Sequence, residues 1–111
     1  MKELQAAIQR VIADVEAVLN TVDSTGAPLR ANHRQTFEMQ LQSLRLVDGE
    51  LHERVVTRRV WSLGEATIPV LRSMLNAAGK PRVGLPDGLV DGAQRSVVLL
   101  RTELTRFAEG R

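Results

Sequence analysis

The sequence predicts an all-α protein, an antiparallel bundle of four helices with no sheet, on three observations. Apolar residues recur at alternating steps of four and three along most of the chain, the spacing of one buried helix face. Glycine and proline collect between those stretches, where they stop and start helices. Strand-type alternation is almost absent; 82–90 could at most form a tiny hairpin around Pro86-Asp87-Gly88.

The first helix is the clearest. Over 2–22, Leu4, Ile8, Val11, Val15, Val18 and Val22 make a seam with a seven-residue repeat, the pattern of helices packed side by side. Ile12 and Leu19 widen it. Asp23-Ser24-Thr25-Gly26-Ala27 then reads as a short turn, with Pro28 suited to the first turn of the next helix.

The second helix is expected to be long, about 28–63. Phe37, Leu41, Leu44, Val47, Leu51 and Val55 keep one phase along it. Gly49 weakens a helix by about 1 kcal/mol relative to alanine without stopping it, so continuity is favoured over a break at Asp48-Gly49. Leu44, Val47, Leu51 and Val55 are expected to form one buried stripe. Unbroken, such a helix is about 36 residues and about 54 Å long. A first helix of about 32 Å cannot cover it, and a second copy of the chain is the expected cover.

Ser62-Leu63-Gly64-Glu65 reads as a capping box near the end of that helix. A third helix is placed from about Thr67, because Pro69 is tolerated in a first turn and disruptive later. Its face is Ile68, Leu71, Met74, Leu75 and Ala78, and Gly79 and Pro81 close it. The loop 79–87 leads to a last helix starting at Asp87 or at Asp91, the latter with Gln94 three residues on. That helix buries Leu89, Ala93, Val97, Leu100, Leu104 and Phe107.

One domain, 1–111, accounts for a chain of 111 residues that is 43% hydrophobic. There is no cysteine, which excludes disulfides, thiolate catalysis and cysteine-based zinc sites and suits a cytoplasmic protein. Met1-Lys2-Glu3-Leu4-Gln5 lacks the apolar run of a secretory signal. The longest apolar run, Val97-Val98-Leu99-Leu100, is far short of the roughly 20 residues that span a bilayer. No membrane association is expected.

The net charge of +2 is unevenly spread, −2 over 1–50 and +4 over 51–111. The basic residues are nearly all arginine, a bias that a GC-rich bacterial genome would also produce. Arg54, Arg58 and Arg59 make a basic ridge beside the seam, with Arg30 and Arg34 at the other end of the second helix, and phosphate neutralisation requires such clusters. Against it stand Glu38, Glu50 and Glu53 among them and a shortage of aromatics for stacking bases. Specific nucleic-acid binding is therefore not expected.

The two histidines do not build a catalytic or metal site. His33 and His52 lack the Glu-x-x-His spacing of a bundle di-metal centre, and His52-Glu53 lacks the second histidine of a zinc-protease helix, position 56 being Val56. No nucleophile with a partnered base can be assembled. No enzyme activity, metal or cofactor is expected. What remains is a small bacterial-type interaction module, a subunit, adaptor or regulator acting by helix packing and self-association as a homodimer, with a protein partner beyond it. Arg54, Arg58, Arg59, Trp61, Leu51 and Val55 are its candidate interaction residues. A nucleic-acid-associated regulator using the arginine ridge is the alternative, and an apolar small-molecule binder in the bundle core a further one.

Overall fold

Leu4, Ile8, Val11, Val15, Val18 and Val22 all lie on the buried face of α1, Lys2–Thr25, as their spacing requires. The computed structural model describes residues 1–26, 31–80 and 83–110. Gly26 ends α1 with φ of 67°, a left-handed conformation open to glycine, and its N–H bonds to the Val22 carbonyl. Pro28 and Arg30, and farther on Pro81 and Arg82, lie outside the described residues.

The second helix is shorter than its seam suggests. α2 runs Ala31–His52, so the expected helix of about 28–63 is cut in two. The break does not fall at Gly49, which stays inside α2. It falls at Arg54, whose φ is 60°. The Val55 N–H reaches back to the Glu50 carbonyl at 2.8 Å and the Arg54 N–H to the Leu51 carbonyl at 3.0 Å. Those two bonds with a left-handed residue between them are a Schellman stop. Glycine normally marks that position; arginine here hides it.

The stop also changes which valine turns inward. Leu44, Val47 and Leu51 are buried as expected, but Val55 is 47% exposed. Val56 packs against the core in its place. The expected four-residue stripe therefore loses its last member, because the left-handed turn at Arg54 ends the helical phase that would have carried it.

A new helix starts at Arg58, nine residues before the expected Thr67. Thr57 caps α3, Arg58–Ser62, by accepting a hydrogen bond from the Arg59 N–H. The chain then runs without a break through one wide π turn, Leu63–Thr67, into α4, Ile68–Ala78. In that turn the Ile68 N–H bonds to the Leu63 carbonyl, five residues back. Pro69 follows at once. Its ring crowds the carbonyl four residues earlier and offers no N–H, and the wider turn ahead of it accommodates both deficits. The capping box at Ser62 does not form: the Ser62 hydroxyl donates to the Arg58 carbonyl within the same helix.

α5 spans Asp87–Glu109, the earlier of its two expected starts. Gln94 is not a capping residue; it donates to Asn76 Oδ1 at 2.7 Å and to the Arg72 carbonyl, holding α5 against α4. Among the described residues there is no strand.

Taking α3, the π turn and α4 as one rod, the molecule is a bundle of four helices measuring 43 × 20 × 20 Å. Polar pairs between α1 and α2 climb one helix as they descend the other: Gln9 with Asp48, Glu16 with Arg45, Asp23 with Arg34. α1 packs most extensively against α5, where the buried Ser96 hydroxyl donates to Asp14. Phe37, Leu44, Leu51, Leu63, Leu71, Leu75 and Leu100 meet in one core. The four helices have similar lengths, roughly 31–36 Å at 1.5 Å per residue. No end of α2 overhangs, so length no longer gives a reason for a second chain.

Candidate interaction surface

The arginine ridge is not a ridge. Arg54 sits in the left-handed turn, whereas Arg58 and Arg59 open α3 after it. Arg59 Nη1 is committed to Glu50 Oε1 at 2.7 Å. Glu50 also accepts from the Thr57 hydroxyl through Oε2 at 2.5 Å. One carboxylate thus ties the last turn of α2 to the first turn of α3. The Thr57 hydrogen bond, followed by the Arg59 hydrogen bond and charge, holds the Glu50 carboxyl below its ordinary value against the opposing effect of burial.

The other candidates scatter. Leu51 is fully inside the core. Trp61 is half-buried and stacks on Phe107 with ring centroids 5.8 Å apart, so it fastens α3 to α5. Val55 is exposed and, with Leu46, Gly49 and Thr57, lines a surface cleft of about 390 Å³ rimmed by Arg45, Glu50 and Glu53. Arg54 lines a different cleft, shared with Leu51, His52, Lys2 and Gln5, so these two candidates do come together, though Leu51 is otherwise core. Of the six residues only Val55 belongs to an open apolar surface.

A feature that the buried seam concealed lies on the opposite side of α2. Gln35, Met39, Gln42, Leu46 and Gly49 follow one another at steps of four, three, four and three, and all are exposed. Their phase is half a turn from Phe37, Leu41, Leu44, Val47 and Leu51, so the stripe points straight away from the core. Met39 is 58% exposed and Leu46 49%. Scattered exposed apolar residues are ordinary; a charge-free helical stripe holding two of them is more than scatter. Val98 and Leu99 are exposed on α5 as well, but Asp91, Arg95 and Arg101 share that outer face.

Gly49 completes the stripe. A Cβ built there would meet nothing within 4 Å, and its φ is not positive. Neither backbone conformation nor crowding inside the chain requires glycine, which costs the helix roughly 0.5–1 kcal/mol. The seven-residue step from Met39 to Leu46 and this unexplained glycine were the available sequence signals.

The fold and this surface define an all-helical four-helix bundle with an uncharged outer face on α2 that carries two exposed large apolar residues. No family model, curated protein or solved structure matches the chain. Among the described residues no group of three histidine or acidic side chains could hold a metal ion, and no helix is long and apolar enough to cross a membrane.

Proposed function

We propose that this protein is a small non-enzymatic interaction module, a subunit or adaptor whose docking surface is the outer face of α2. The observation that carries the reading is the uncharged stripe from Gln35 to Gly49, exposed on a helix whose opposite face is fully used by the core. A helix laid along that stripe would bury Met39 and Leu46, and Gly49 would let it approach closely at one end. A cytoplasmic setting accompanies this reading, as the lack of cysteine suits.

The test is site-specific photo-crosslinking in cells that express the full chain. A photoreactive residue at Gln42, in the middle of the stripe, should give a discrete crosslinked protein. The same residue at Thr102, exposed on α5, should not. Equal labelling at both positions, or none at Gln42, would overturn the reading.

A further inference from the structure

We propose that the occupant of this face is a second copy of the same chain, with α2 packed antiparallel on α2 about a twofold axis; the proposal rests on the interaction reading above. The stripe alone would not choose between partners. The charges along its edge do.

Glu38 and Arg45 lie seven residues apart on the same edge of the stripe, both exposed. When two copies of a helix run antiparallel, residues along one edge meet the same edge of the other copy. Setting Met39 level with the second copy's Gln42 places Leu46 level with its Gln35 and Gly49 level with its Asn32. Glu38 then lies beside the second copy's Arg45, and the twofold axis repeats the pair. Both edge contacts are opposite in sign, and the seam between them contains no charge. Moving the helices to the neighbouring register, with Leu46 level with Gln42, would instead bring the two Arg45 side chains together. Like charges there disfavour that register. The surface is therefore complementary to itself in one register, the condition for a closed twofold contact.

Neither side chain is exhausted inside its own chain. Arg45 approaches Glu16 most closely through Nη2, at 2.9 Å, and Glu38 approaches Arg34 most closely through Oε1, at 3.4 Å. Both side chains stay more than half exposed. With only Met39 and Leu46 as large apolar members, the contact is a modest one whose occupancy follows concentration.

Sedimentation equilibrium of the full chain tests this in four forms: unaltered, Glu38→Arg, Arg45→Glu, and both together. The unaltered protein should pass from the 12.3 kDa chain mass toward twice that value as concentration rises. Each single reversal turns two attractive contacts repulsive and should weaken association on the order of tenfold. The double reversal should restore it. That variant breaks the internal Arg34–Glu38 and Arg45–Glu16 pairs at once, so internal pairing predicts it to be the worst of the four. Far-UV circular dichroism confirms that each form is folded. A chain mass of 12.3 kDa at every concentration, or a double variant no better than the singles, overturns the proposal. A Gln42 crosslink to a protein of different mass would leave the interaction reading standing and remove this one; no crosslink would remove both.

Discussion

Leu51 and Val55 are one helical turn apart in sequence and on opposite sides of the protein surface. Truncating Leu51 to alanine should cost about 2–5 kcal/mol, the range for a leucine emptied from a packed core. Val55→Ala should change stability by less than about 0.5 kcal/mol, as exposed sites do. Chemical denaturation of the two variants side by side measures both. Arg54 explains the difference between them, since a left-handed L-residue costs roughly 1–2 kcal/mol. Arg54→Gly should be neutral to stabilising, and Arg54→Val should destabilise, a β-branched side chain fitting that conformation worst. Equal midpoints for the glycine and valine variants would contradict the left-handed stop. The glycines divide in the same way. Gly49→Ala should stabilise by roughly 0.5–1 kcal/mol. Gly64→Ala should gain less, because its new Cβ would lie 3.0 Å from Leu104 Cδ2, which must then shift.

At the level of elements, the joint between α2 and α3 depends on the charge state of Glu50. Its folded carboxyl titrates below the ordinary 4.5, so the unfolded chain takes up the proton first on acidification. The stability it contributes is complete above about that value and is lost as pH falls through the lower folded one. Glu50→Gln should therefore be less stable than the unaltered protein at neutral pH, and the gap should narrow in acid. Thermal melts of both forms from neutral to acidic pH measure it; a gap independent of pH would exclude the carboxylate as the link. Asp23 behaves alike, held down first by its hydrogen bond from Arg34, and it joins the end of α1 to the start of α2. The break itself was hidden from sequence because its signal is a conformation of arginine rather than a glycine. The Thr57 cap was legible, but an in-phase valine two residues before it masked it.

For the molecule as a whole, α1 and α5 form the best-packed pair, and the 53–57 joint is held by a few polar contacts at its edge. Amide exchange should follow this gradient. The slowest amides are expected around Val11–Val18 and Val97–Leu100, and those of the joint should exchange orders of magnitude sooner. Uniform protection across the chain would mean that the joint is as firmly packed as the core. The shortening of α2 also changes where a partner can sit. A 54 Å helix would have exposed its buried seam beyond the bundle; the four matched helices cover that seam, so a partner must use an outer face such as that of α2, which carries Met39 and Leu46.

The all-α class and the identity of most core residues could be read without a structure. Both follow from apolar periodicity, which acts locally and appears wherever an amphipathic helix hides one side. Phe37, Leu44, Leu71 and Leu100 were each assigned inward on that basis and are buried. The length of α2 and the inward turn of Val56 were decided only by tertiary structure. Packing four rods of similar length rewards a stop at Arg54 that local propensity would not choose, because burying Val60 and Leu63 outweighs one strained residue. The outer stripe is of the same kind. Its residues are unremarkable as a string and form a surface only once Phe37, Leu41 and Leu44 fix which way α2 faces.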